Sequence, residues 1–371
     1  MKNTKLIKII LITTLVLTVS ACDNKTDNDK AAGEPKPTIT SSGKTEEEPG
    51  EKPEEEPEAP VISVEKIDRI ENAEISDWLE EETVIVSKEN DTLDKMELAE
   101  LSDNYPRSLY LYNINTKEYK LLKERDNVFL GGAALSADRK HLLYSEYTLG
   151  DPVYNVMNLD TGEAFGILRD NFGGAVSAGW AGNEVIGAAY YNGAYIAAAT
   201  GEISIIEDLK EEALFVIRKI KDTLYYNTNY DETLIMLNVA TKEKKKLDLA
   251  HVTDVIPSSD GNKILVLQGG ASKHTLSLLD PDGSNQKMIA EGSELGGISW
   301  SPGQQRIAYY LKDEVNDTAG RLYLYDIPTG EVIQVAEDIR NAVTCWSPSG
   351  ERLAYAEWDG EHYNSGIIDF K

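Results

Sequence analysis

WSPGQQRIAYY at 300–310 and WSPSGERLAYA at 346–356 are two copies of one phrase. Each holds a Trp, a polar turn with Pro and Gly, a basic residue and a short apolar run. SADRKHLLYSE at 136–146 and SSDGNKILVLQ at 258–268 keep the turn and the run. Looser copies lie at Trp78 to Ser87, Trp180 to Ala188 and Lys219 to Tyr226. Internal repetition is the first thing to settle, because it sets the architecture. The residues that open the apolar runs are Val84, Leu142, Val185, Thr223, Ile264, Ile307 and Leu353, spaced 58, 43, 38, 41, 43 and 46 apart.

A second phrase follows most copies. It is a strand, a tight turn and another strand. The turns read Thr116-Lys117-Glu118, Thr161-Gly162-Glu163, Thr200-Gly201-Glu202, Thr241-Lys242-Glu243 and Thr329-Gly330-Glu331, with Asp280-Pro281-Asp282-Gly283 in the same place of another copy. Gly, Asn and Asp supply the backbone angles that hairpins need. Their flanks alternate, as in Leu322-Tyr323-Leu324-Tyr325, which is strand periodicity. Each unit of about 40 residues therefore holds four short strands, the length of a β-propeller blade. The expected fold is all-β: a seven-bladed propeller of four-stranded antiparallel blades. Six blades, with the first copy an irregular cap, is the alternative. The last copy shows strands near Ala342 to Cys345, Arg352 to Ala356 and Ser365 to Phe370, and lacks a fourth. VISVEK at 61–66 is expected to supply it, closing the ring and removing two exposed edges.

The Trp-Ser-Pro phrase resembles the repeat of the TolB-like, or WD40-like, propellers, which carry a similar Trp-Ser-Pro-Asp-Gly-Lys-x-Ile-Ala-Tyr signature. The resemblance covers roughly residues 68 to 371, with Gly303 and Ser349 where the family usually has Asp. It implies a propeller. It does not imply the Pal-binding role of TolB, whose separate α/β domain has no counterpart in the segment before these repeats. Some relatives are metal-dependent polysaccharide lyases with several histidines at the channel mouth. His141, His251, His274 and His362 fall in different repeats with unlike neighbours and read as structural or surface residues. Other relatives join a serine hydrolase to the propeller. The strained turn of such an enzyme needs Gly-x-Ser-x-Gly, and the nearest string, Gly174 to Gly179, has the wrong spacing. P-loop and dinucleotide fingerprints are absent too. Asp280 to Asn285 alternates carboxylates before a Gly, but it lacks the distant Glu of a calcium loop and reads as a hairpin turn. No cofactor and no metal site are expected.

Residues 1–22 read as a secretory signal. Lys2, Lys5 and Lys8 give the positive start, and the apolar run to Val19 is shorter than the roughly 20 residues of a spanning helix. It ends in Val19-Ser20-Ala21-Cys22, which resembles the lipobox of bacterial lipoproteins. That resemblance implies lipid attachment through the Cys22 thiol and a place on the extracytoplasmic face of the cell membrane. Residues 23–60 hold 12 acidic and 5 basic residues and 6 prolines, and read as a disordered, extended tether. The propeller domain is then 61–371.

Composition narrows the partners. The chain has 371 residues and a formal charge of −27, of which residues 61–371 carry −23. Nucleic acid is an unsuitable partner, because binding it relies on Lys and Arg neutralising phosphates. Two cysteines exclude a disulfide scaffold. Cys345, in an expected inner strand, reads as a buried, inert thiol.

Three features are candidates for contact. Gly131-Gly132, Gly173-Gly174 and Gly296-Gly297 precede their strand anchors by 11, 12 and 11 residues, at the start of the innermost strand and near one channel mouth. They suit either crowded blades or a backbone-lined mouth for a ligand. Trp78, Trp180, Trp300 and Trp346 recur at one blade position and read as inter-blade packing. The long first spacing reflects an insertion at Ser87 to Arg107. Its Leu93, Met96, Leu98 and Leu101 are spaced to form a short helix or flap, a candidate partner-contact loop. The expected function is a membrane-tethered, monomeric, non-enzymatic module that binds a protein or a cell-envelope glycan. The alternative is a carbohydrate-active enzyme with carboxylates in the channel.

Overall fold

The four strong repeats fold alike around one serine. Ser136, Ser258, Ser301 and Ser347 are all buried. Each hydroxyl accepts the backbone N–H five residues on, from His141 at 3.0 Å, Lys263 at 2.9 Å, Arg306 at 3.0 Å and Arg352 at 3.2 Å. The fourth residue of each turn takes a positive φ: Arg139 58°, Gly261 70°, Gln304 56° and Gly350 76°. The turn thus satisfies a buried donor and reverses the chain in a fixed geometry. The second hairpin turn has its own cap. The side-chain oxygens of Asn113, Asn158, Asn238 and Asp326 accept the N–H of Thr116, Thr161, Thr241 and Thr329 at 2.9, 3.0, 2.9 and 3.0 Å.

The computed structural model describes residues 62–167, 175–189, 193–270, 272–313 and 318–371. They form seven four-stranded antiparallel blades, the first six of them simple meanders. The inner strands of blades I to VII are Ala73–Glu80, Phe129–Leu135, Ala175–Ala181, Leu214–Ile220, Val252–Pro257, Glu294–Trp300 and Val343–Trp346. Blade I is complete, which removes the six-blade alternative. One parallel bridge, Arg107 to Phe129, joins blades I and II into an eight-stranded sheet.

Blade VII takes its outer strand from the other end of the domain. Val64–Ile70 pairs antiparallel with Tyr363–Phe370, from Val64 opposite Phe370 to Ile70 opposite Ser365. Ser63 and Lys371 extend the ladder by exchanging backbone hydrogen bonds at 3.2 and 3.1 Å. The closure is as expected, but the strand lies further along than 61–66. It runs through Asp68 and Arg69 because an outermost strand leaves one side in water, where charged residues are tolerated.

The core is seven apolar clusters, one at each blade junction. The repeating Trp residues face their strand anchors: Trp78 opposite Val84, Trp180 opposite Val185, Trp300 opposite Ile307 and Trp346 opposite Leu353. Three of their indoles also donate to an inner-strand carbonyl of the preceding blade: Trp78 to Cys345 at 3.2 Å, Trp180 to Ala134 at 2.8 Å and Trp300 to Ile256 at 3.0 Å. A buried indole N–H favours such a partner, so Trp both fills these three junctions and fixes their spacing, whereas buried Trp346 fills its junction without such a bond. Burial and the nearby Asp77 carboxylate push the Cys345 thiol well above its ordinary range, which suits an unreactive group.

In a meander, the first and third turns of a blade lie at one end and the middle turn at the other. The serine and Thr-Gly-Glu turns therefore share one face. The opposite face carries the middle loops and the crossings between blades.

Candidate functional site

The insertion lies on that second face, between Thr83–Glu89 and Arg107–Asn113 of blade I. Asn90 pins its base. Its N–H donates to Pro106 O at 2.8 Å, and its buried amide donates to Ser108 Oγ at 3.1 Å and Glu124 Oε2 at 3.0 Å. Met96 N–H donates to Asn104 O at 3.0 Å, so the loop doubles back as a flap. That pairing leaves room for one 3-10 turn, Ala99–Leu101, and no longer helix. The four apolar residues consequently do not share a face. Met96 is buried, Leu93 and Leu101 are half-buried, and Leu98 is exposed.

The flap edges a cleft of about 540 Å³ shared by blades VII, I and II. Blade VII contributes Trp358 and Tyr363, with ring centroids 4.8 Å apart. Blade II contributes Phe129 and Tyr147, 5.6 Å apart. The flap adds Leu101, Asn104 and Tyr105, and charged groups at the rim are Lys88, Glu89, Asp91 and Glu361.

Arg107 forms the floor. Its Nε donates to Ser87 Oγ at 3.0 Å and its Nη2 to Ser87 O at 2.6 Å. Nη2 lies 3.6 Å from Glu74 Oε2, and the guanidinium stands 4.9 Å from the centroid of the Tyr363 ring. These contacts tie together three strands of blade I and one of blade VII, so the guanidinium is held rigidly. Burial pushes the Glu74 carboxyl up, against a downward pull from Arg107. Burial and Glu74 together push the Tyr147 hydroxyl up.

At Gly131 a small side chain is tolerated beside this arrangement, at ordinary contact distances. A Cβ there would lie 3.4 Å from the Tyr147 ring and 3.8 Å from Glu74 Oε2. Gly132 and Gly297 have φ of 56° and 57°, and both sit in strand bulges. A Cβ at Gly297 would meet Ala342 O at 2.4 Å, whereas Gly296 faces open space. Gly131 and Gly132 lie in the inner strand of blade II and Gly296 and Gly297 in that of blade VI, and none of the four lines the cleft. Gly173, Gly174 and Cys22 fall outside the described residues.

The histidines do not gather. Only His362 lines the cleft, while His251 pairs with Glu232 at 2.9 Å elsewhere. Among the described residues no three His, Cys, Asp or Glu side chains come together as a metal site. Asp280 and Asp282 are engaged within and beside their own turn, with Lys263 2.6 Å from Asp280 and Ser284 Oγ 2.5 Å from Asp282.

Sequence reasoning missed the aromatic walls. One signal was present: Trp358 is the fifth Trp and the one that stands off the repeat position. Tyr147, Tyr363 and Phe129 carried none, because each lies at the end of an ordinary strand.

No protein-family model matches the sequence, and no curated protein matches it either. Solved structures do. The chain is similar to an oligogalacturonate lyase from Vibrio parahaemolyticus, at 12% identity and a TM-score of 0.58, covering 83% of this chain and 98% of that one. It is similar to the β-propeller domain of Cps50 (Swd1) from Myceliophteria thermophila, at 12% identity and a TM-score of 0.56, covering 83% and 99%. TolB from Acinetobacter baumannii aligns at 13% identity and a TM-score of 0.47, covering 78% and 64%. At such identities the lyase and Swd1 likenesses bear on the fold, which they give as a β-propeller.

Proposed function

We propose that this chain is a lipid-anchored, extracytoplasmic propeller that binds a protein or a cell-envelope glycan through the cleft of blades VII, I and II. The observation that carries the reading is the cleft itself. It joins two aromatic pairs to a fixed Arg floor, and the one long loop of the first blade edges it. Concave sites with aromatic walls and a few fixed polar groups are the usual form of ligand sites. The sequence around Cys22 supports the anchor, and the acidic, Pro-rich segment 23–60 supports a spacer that holds the domain away from the bilayer.

Trimming the flap tests the reading. Residues 91–105 are replaced by a short Gly-Ser turn, which keeps the Asn90–Pro106 pair. The full chain is then cross-linked to solubilised envelope material. The expected result is a chain that still folds cooperatively, with a melting temperature lowered by the loss of buried Met96, and about tenfold less captured material, a loss of roughly 1.4 kcal/mol in binding. Capture at the original level would overturn the assignment of function to this cleft.

A further inference from the structure

We propose that the cleft takes an uncharged glycan, a deepening that rests on the binding reading above. Its two aromatic pairs stand on either flank of blade I. The face of an aromatic ring is electron-rich, and the C–H-bearing face of a pyranose is weakly positive, so the two stack. The rim offers Glu89, Asp91 and Glu361 as acceptors for hydroxyls, and Asn72 and Asn104 as both donors and acceptors. The volume, about 540 Å³, falls inside the range of roughly 300–1,000 Å³ of small-ligand sites.

Charge decides against the other ligand classes. The Arg107 guanidinium already has Glu74 at 3.6 Å and the Tyr363 ring at 4.9 Å. Against an acidic polymer such as a uronate chain, that leaves three rim carboxylates facing Lys88, inside a domain of net charge −23. A cationic ligand would use the aromatic faces as a cage. Here the Tyr363 face is already occupied by the guanidinium, which also repels a second cation. A neutral sugar meets no charge repulsion, and Trp358, 42% exposed, offers it a ring face that does not depend on Tyr363.

The test titrates the full chain in detergent with neutral hexose and N-acetylhexosamine oligosaccharides, with oligogalacturonate and with hexalysine. Tryptophan fluorescence and calorimetry follow binding. Trp358 is 42% exposed at the rim, so Trp358→Ala reports on the site with little effect on folding. Trp358→Leu is the second variant, which keeps apolar bulk and removes the ring face. The expected result is binding of a neutral oligosaccharide that is insensitive to salt and weakened about tenfold or more by either variant. Neutral-sugar binding that both variants leave unchanged would overturn the proposal. So would oligogalacturonate or hexalysine binding in its place. If Trp358→Ala abolishes that replacement binding, the glycan class is wrong but the cleft remains a binding site. If no probe binds and the flap-trimmed chain still captures envelope material, both readings fall.

Discussion

Glu74 stands under two opposed influences. Burial favours its neutral form, and Arg107 at 3.6 Å favours the charged one; burial is the larger. Its folded pKa therefore lies above the unfolded value of about 4.3. Between those two values the folded state holds more protons than the unfolded state, so stability falls as pH rises through that window. Glu74→Gln removes this component. The difference between wild-type and variant unfolding free energies, followed by denaturant titration from pH 4 upward, is expected to shift toward the variant as pH rises. A flat difference curve would refute the shift. Exposed aspartates such as Asp231, brought to about 2 chiefly by its bond to Lys246, cancel in that difference. At this scale the sequence was legible where a residue type has one use. Trp at the repeat position meant a blade junction. The turn serine carries no such signal, because its bond to the N–H five residues on forms only when the turn exists.

The closing strand is the element that most rewards a test. Ile62 and Ile70 are buried, and Val64 packs against the cluster between blades VI and VII. Deleting residues 61–70 removes those contacts and leaves Tyr363–Phe370 without its outer partner. Several backbone hydrogen bonds at about 1 kcal/mol each put the loss at roughly 3 kcal/mol or more. Deleting 23–60 is expected to leave the melting temperature unchanged. Equal melting temperatures for the two deletions would contradict the closure. The count of blades, their four strands and this closure were all readable from spacing and turn residues. The extent of the closing strand was not, because charged Asp68 and Arg69 break the apolar alternation. The shape of the flap was hidden for a different reason. Its fold depends on Asn90 and on the Met96–Asn104 pair, which are contacts across the loop rather than a local period.

At the scale of the molecule the two faces differ in kind. One carries repeated, self-capped turns with Asn, Asp, Ser and Thr. The other carries the flap, the cleft and exposed Leu149, Tyr230 and Trp358 in or beside its middle loops. Function is expected on the face whose loops vary. The anchor belongs to this scale as well. Cys22→Ala is expected to leave the protein unlipidated, either released from membranes or retained with an uncleaved signal. Recovery of a processed form in the membrane fraction would refute lipidation. A single acyl chain holds only marginally, so the mature form is expected to carry two or three.

Ring closure by Val64–Ile70 has a mechanical side. The residues that complete blade VII come soon after residues 23–60, so a tug transmitted along the chain reaches buried Ile62 and the adjoining Ser63–Lys371 bonds before the rest of the ring. Pulled sideways, the ladder would unzip a pair at a time from that end. Pulled lengthwise, its rungs would share the load and yield together. The same seam that makes the circle whole is thus its fuse, and the direction of pull decides how much force the domain bears before it opens.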